Sequence, residues 1–99
     1  MSFKHLTVAQ LRELQKGEVT IIDIRDAQSY ANGHIENSIL INNQIVEQFI
    51  ADSDFTIPLV VCCYHGNSSQ GAAQYLFDQG FKEVYSLDGG YQQWAISNL

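Results

Sequence analysis

Two stretches of this chain carry apolar side chains on consecutive residues, not on alternate ones: Val19-Thr-Ile-Ile-Asp-Ile24 and Leu59-Val-Val-Cys62. Successive residues of a strand point to opposite faces, so a strand that is apolar almost throughout must be covered on both. Parallel sheets between layers of helices meet that requirement. The remaining segments fit. Thr7, with Gln10 three residues on, reads as a reciprocal helix cap; Val8, Leu11 and Leu14 form the stripe of that helix and Gly17 ends it. Asp26–Asn32 reads as a short helix closed by Gly33, and Gln44–Ala51 as a helix carrying Ile45, Val46, Phe49 and Ile50. Ser69–Gln79 is a helix with Ala72, Ala73, Leu76 and Phe77 inward and Gly80 as its stop. Phe3–Leu6, Ser38–Ile41 and Glu83–Leu87 are short strands, and Pro58 sits where a missing N–H is tolerated. Asp88-Gly89-Gly90 turns the chain into a terminal helix, Tyr91–Ser97, anchored by Trp94. Strand and helix alternate throughout, so the fold class is α/β, a mostly parallel sheet with helices on both faces.

The chain has 99 residues and reads as one domain, 1–99, with no internal repeat or linker. Its two cysteines are adjacent and make no disulfide framework, which fits a reducing compartment. The N-terminus, Met-Ser-Phe-Lys-His-Leu, lacks an apolar signal core, and no apolar run approaches the roughly 18 residues of a membrane span. The expected location is the cytoplasm, without a membrane partner. A net charge of −6 argues against nucleic acid. An anionic substrate would therefore be drawn by local groups.

The strand Leu59–Cys62 runs into Cys63-Tyr64-His65-Gly66-Asn67-Ser68, and a helix follows from Ser69. In open parallel sheets ligands bind beyond the carboxyl ends of the strands. Unpaired amides at a helix N-terminus stabilise an anion, and a cysteine held there is readily a thiolate. Cys63 is read as a nucleophile; the competing reading is a buried core cysteine. Cys62 continues the strand and faces the other way, so it reads as core, with a resolving thiol or a vicinal disulfide as the alternative. Tyr64, His65 and Asn67 are rim residues of the loop. His65 is read as a substrate contact ahead of a general base, with surface filler an equal alternative. Gly66 permits a backbone conformation that a side chain would resist. Ser68 and Ser69 read as helix caps whose hydroxyls could also donate to sulfur. Arg25, after the Val19–Ile24 strand, pairs with Asp23 or Asp26 or offers charge to an anion. His34 is expected to hold the turn beside Gly33. His5, His34 and His65 are too far apart in sequence to suggest a metal set.

Asp23-Ile-Arg25 with Tyr30-Ala-Asn-Gly33-His34-Ile35, the Cys63–Ser68 loop, Gly71-Ala-Ala-Gln-Tyr-Leu76, and Asp88-Gly89-Gly90 with Trp94 resemble the rhodanese family, and within it the single-domain bacterial thiosulfate sulfurtransferases. The resemblance spans essentially the whole chain. It implies the rhodanese fold, a five-stranded parallel sheet flanked by helices. It also implies a Cys63 persulfide charged by thiosulfate and discharged to cyanide or a thiol such as reduced thioredoxin, with neither metal nor organic cofactor. Asp23 and Arg25 belong to a motif shared by active and inactive members, which favours a structural ion pair. One departure stands out: thiosulfate-using relatives often carry Lys or Arg in or beside the loop, and here there is none, which implies modest thiosulfate affinity. A cysteine phosphatase or arsenate reductase would place Arg six positions after the cysteine, where this chain has Ser69. Two further readings compete with the enzyme: a persulfide sulfur carrier loaded by a protein donor, and a non-catalytic rhodanese-like binding module.

Overall fold

The computed structural model describes residues 2–99. Its strands are β1 (Lys4–Leu6), β2 (Thr20–Asp23), β3 (Ile39–Leu40), β4 (Leu59–Cys62) and β5 (Val84–Leu87); its helices are α1 (Val8–Leu14), α2 (Ala27–Asn32), α3 (Val46–Asp52), α4 (Ser68–Asp78) and α5 (Gly90–Ser97). The strands form one five-stranded sheet in the order β1-β5-β4-β2-β3, and every neighbouring pair is parallel. The sequence predicts a mostly parallel sheet; the sheet is wholly so.

The central strand β4 is buried along its length. Val60 and Cys62 point into a cluster with Leu11 of α1 and Trp94 of α5. Leu59 and Val61 point the other way, to Ala73 and Leu76 of α4, with Val46, Phe49 and Ile50 from α3 packed alongside. Ile21 and Ile22 of β2 divide between the same two clusters. Covering both faces removes these side chains from water, at roughly 1.5–3 kcal/mol for each large aliphatic group fully buried.

The strands are shorter than their apolar runs, because Val19, Ile24, Phe3, Ser38, Ile41 and Glu83 flank the paired segments. At α1 the Thr7 side chain accepts from the Gln10 amide while the Gln10 side chain accepts from the Thr7 amide, as the sequence suggests. The helix ends at Leu14, before Gly17, and a Gly17 amide to Leu14 carbonyl bond of 3.0 Å closes the turn beyond it. Helix α3 starts later than Gln44 because Asn42 Oδ1 accepts the amides of Gln44 (2.9 Å) and Ile45 (3.1 Å), holding them in a turn.

At the carboxyl end of β2, Asp23 is fully buried and Arg25 is 7 % exposed. Arg25 Nε donates to both carboxylate oxygens of Asp23 (3.0 and 3.1 Å), and Nη2 donates to Oδ2 at 2.8 Å and to the Gly33 carbonyl at 2.7 Å. The Arg25 amide also donates to Asp23 Oδ1, at 2.9 Å. Burial works against the guanidinium charge, but Asp23 outweighs it, and the pKa of Arg25 is raised. Removing one partner strands a buried charge, which costs about 3–5 kcal/mol. Arg25→Ala and Asp23→Ala should each lose that much in urea unfolding. The double variant should lose less than the sum of the singles, the signature of a coupled pair.

Candidate active site

The loop after β4 curls so that its amides converge on one sulfur. The amides of Gly66 and Ser69 donate to Cys63 Sγ at 3.2 and 3.3 Å, and the Ser69 hydroxyl lies 3.2 Å from it. Gly66 has φ +92°, a left-handed conformation that glycine adopts without steric cost. It is also crowded: a Cβ there would lie 2.8 Å from the Gly89 amide nitrogen and 3.1 Å from the Leu87 carbonyl oxygen.

Burial pushes the Cys63 thiol up. The Ser69 hydroxyl and the amides of Ser69, Gly66 and His65 outweigh burial, and its pKa falls below the ordinary thiol value. Cys62, on the opposite face, is pushed up to about 12 by burial first and by the Asp23 charge second. Both thiols are buried and free of any disulfide.

Other carbonyls of the loop are tied down on its outer side. The first turn of α5 does most of this, with the Tyr91 amide on the Cys63 carbonyl at 2.8 Å and the Gln92 amide on the Tyr64 carbonyl at 3.1 Å. Gln70 takes the Gly66 carbonyl with its side chain (2.9 Å) and the Asn67 carbonyl with its amide (3.2 Å). Gly90 makes the α5 approach possible: a Cβ on it would lie 2.5–2.7 Å from the Cys63 carbonyl oxygen, the Tyr64 carbonyl carbon and the His65 nitrogen.

Tyr64, His65 and Asn67 are exposed, and the first two are tethered. Tyr64 O–H donates to the Asp26 carboxylate, whose pKa is lowered by that bond first and by Ser29 second. His65 Nδ1 lies 2.6 Å from Gln92 Oε1, which orients the ring towards α5. Asn67 occupies the cap position of α4 and makes no side-chain cap bond. Ser68 and Ser69 do not cap the helix either, since they form its first turn. Ser68 is exposed, whereas Ser69 is fully buried with its hydroxyl on sulfur. Arg25 pairs with Asp23 rather than Asp26, and its guanidinium stacks over the Tyr91 ring at 4.2 Å. His34 bonds the Tyr30 carbonyl at 2.8 Å through Nδ1, and Trp94 packs under Arg12 at 4.2 Å. Sequence reasoning misses Ser86, Gln92 and the contact role of Gly90. A serine inside the apolar β5 is the legible signal for the first. The other two depend on which turn lies beside which, and that is a matter of topology.

Residues 7–97 match the model of the rhodanese-like domain. The chain belongs to the rhodanese family. It is 53% identical over 98 residues to the thiosulfate sulfurtransferase GlpE of Shewanella oneidensis, covering 98% of this chain and 97% of that protein. It is 52% identical over 93 residues to GlpE of Pseudomonas aeruginosa, covering 94% and 84%. Among solved structures it is similar to a rhodanese-related protein of Thermoplasma volcanium, with TM-score 0.82, 28% identity and coverage of 96% and 93%. A protein of Rhodopseudomonas palustris described as a possible tyrosine phosphatase superposes equally well, with TM-score 0.82, 28% identity and coverage of 97% and 82%.

Gly90→Ala should raise the pH midpoint of Cys63 alkylation, because the loop must move off α5 and its amides must turn from the sulfur. Gly71→Ala is the control. No atom lies within 4 Å of a Cβ there, and within a helix the change should be neutral or stabilising by about 0.5–1 kcal/mol. The wild-type midpoint should lie below the ordinary value of about 8.5. Between the two values the unfolded chain binds more protons than the native one, so the Cys63 contribution to stability rises with pH across that window and is lost as pH falls through the native value. Chemical denaturation across that range checks the sign.

Proposed function

We propose that this chain is a thiosulfate sulfurtransferase and that Cys63 is its nucleophile. The observation that carries the reading is the ring of donors around Cys63 Sγ: two amides within 3.3 Å and one hydroxyl at 3.2 Å. Such a ring stabilises a thiolate, and it stabilises an anion one atom further out equally well.

In the first half-reaction the Cys63 thiolate attacks the outer sulfur of thiosulfate. The sulfur–sulfur bond of thiosulfate breaks, its electron pair leaves with sulfite, and Cys63 becomes a persulfide anion. In the second, a nucleophile attacks the terminal sulfur and takes it, returning the electron pair to the Cys63 thiolate. Cyanide would give thiocyanate, and a thiol would give a new persulfide on the acceptor. Two separate transfers through a covalent intermediate predict ping-pong kinetics. Neither step needs a proton from the protein, which agrees with His65 being a rim group held by Gln92.

Cys63 is only 2 % exposed. A donor whose reactive sulfur protrudes at the end of the molecule suits such a target. The sulfonate end of thiosulfate would meet the rim, formed by Tyr64, His65, Asn67 and Ser68, which carries no Lys or Arg. Weak ground-state binding follows, as the absence of Lys and Arg from the loop suggests. A cytoplasmic location and a reduced thiol protein such as thioredoxin as acceptor complete the reading. Among the described residues no helix is long and apolar enough to cross a membrane.

The phosphatase alternative lacks its clamp. Position 69 is serine, and the guanidinium of Arg25 is committed to Asp23 and Gly33. A phosphate dianion would find no cation positioned to grip it bidentately.

Incubation with thiosulfate should add one sulfur, ~32 Da, to the peptide bearing Cys63, and cyanide should remove it. Cys63→Ser should abolish the gain and Cys62→Ser should preserve most of it. A sulfur found on Cys62, or turnover of an aryl phosphate without sulfur loading, would sink the reading.

A further inference from the structure

Ser86 lies in β5 opposite Val61 of β4, and it is 1 % exposed. Val84, two residues before it, faces α4. Strand alternation puts Ser86 on that face too, beneath the start of α4. There its hydroxyl lies 2.7 Å from that of Ser69, which lies 3.2 Å from Cys63 Sγ. The three groups form a line: Ser86 Oγ, Ser69 Oγ, Cys63 Sγ.

A serine hydroxyl has one proton to give. If the sulfur is an anion, Ser69 donates to it, and the short contact with Ser86 must then be Ser86 donating to Ser69. Both protons are used and the sulfur gains a donor. If the sulfur is a thiol donating to Ser69, only one of the two hydroxyl protons can serve the Ser69–Ser86 contact, and the other is left without a partner among the hydrogen bonds of the described residues. Buried hydroxyl protons are rarely left so. The proton inventory therefore closes when the sulfur is charged and stays open when it is neutral.

We propose that Ser86 is a positioning residue for the Cys63 sulfur: by donating to Ser69 it directs the single Ser69 proton at the thiolate. This rests on the nucleophile reading given above. Ser86 touches neither the reacting sulfur nor the rim and acts only through Ser69. A donated bond also polarises the Ser69 hydroxyl and strengthens its own donation, as in other hydrogen-bond chains. The ionisable groups on the surrounding elements are Cys62 on β4, Asp23 at the end of β2 with Arg25 beyond it, Tyr64 and His65 in the loop and Tyr91 on α5. They are the same in every variant below, so differences between variants report the hydroxyl pair.

The test is the pH midpoint of Cys63 alkylation by iodoacetamide, read from the fragment ions that separate Cys63 from the adjacent Cys62 within one peptide. The midpoint follows the thiolate fraction, whereas access sets only the limiting rate. Ser69→Ala should raise it by about one unit and Ser86→Ala by about half a unit. The double variant should match Ser69→Ala, because Ser86 has no route to the sulfur once Ser69 is gone. Ser86→Cys, of similar shape and a weak donor, should fall between wild type and Ser86→Ala, and it also serves if the alanine variant folds poorly. A midpoint unmoved in both Ser86 variants, or a further rise in the double variant beyond Ser69→Ala, overturns the proposal. Persulfide loading of the wild type is measured separately. A wild type that takes no sulfur sinks the sulfurtransferase reading, and the midpoint comparison still decides Ser86.

Discussion

The shape of the loop at this site depends on the two first-turn amides of α5 holding the carbonyls of Cys63 and Tyr64, the second of which shares its peptide with the His65 amide that acts on the sulfur. The N–H and C=O of a peptide point in opposite directions. A loop that turns its amides towards one atom must find donors for the carbonyls it turns outward, or leave them unpaired. The first turn of any helix has amides without internal partners, and here those of Tyr91 and Gln92 are spent on the loop. The α5 terminus thus shapes the cradle from behind. The α4 terminus provides the cradle itself, through Ser69. Parallel topology makes this possible, because β5 lies beside β4 and both strands end on the same side. The turn after β5 is thereby delivered against the turn after β4. Gly66 and Gly90 are the points where the two backbones meet too closely for a side chain.

This division explains what is legible in the amino-acid order. The apolar runs of β2 and β4 reveal the two-sided sheet, and the Cys63-to-helix junction points to a ring of donors, since both are local patterns. Hydrophobicity overstates the strand ends because apolar residues such as Ile24 continue to pack after pairing stops. Serine before a helix usually caps it, and Ser68 and Ser69 invite that reading. The wide loop moves the helix start to Ser68 and leaves Ser69 facing the sulfur. Asp88-Gly89-Gly90 is legible as a turn, but its purpose requires knowing that its neighbour in space is the Cys63 loop, far back along the chain.

Charge is used sparingly at this end of the sheet. The whole chain carries −6, and the guanidinium nearest the site is matched by Asp23 and covered by the Tyr91 ring. That pair fixes where β2 ends, by joining the strand to the Gly33 carbonyl. The donors around Cys63 Sγ are uncharged. Fixed dipoles stabilise one charge on a polarisable atom without demanding a multiply charged ligand, which distinguishes this loop from one built around an arginine clamp. The similarity to a protein described as a possible tyrosine phosphatase is a similarity of fold, and position 69 of this chain is serine.

The two neighbouring cysteines show how little separates a thiol that burial holds neutral from one whose pKa is lowered. Cys62 is the last residue of β4 and points into the cluster with Leu11 and Trp94, where burial and then the nearby Asp23 charge oppose an anion and the Arg25 charge does not outweigh them. Its S–H donates weakly to the Cys63 carbonyl at 3.5 Å, so even this proton is used to hold the loop outward. Cys63 is one residue further on, past the last paired position, and its side chain turns to the face where α4 begins. A shift of register by one residue would exchange the two environments. The pairing of Asp23 with Cys62 across β2 and β4 fixes that register, and the ion pair of Asp23 with Arg25 anchors the same residue. The reactivity assigned to Cys63 is thus set by a strand alignment whose anchor is a carboxylate on the neighbouring strand.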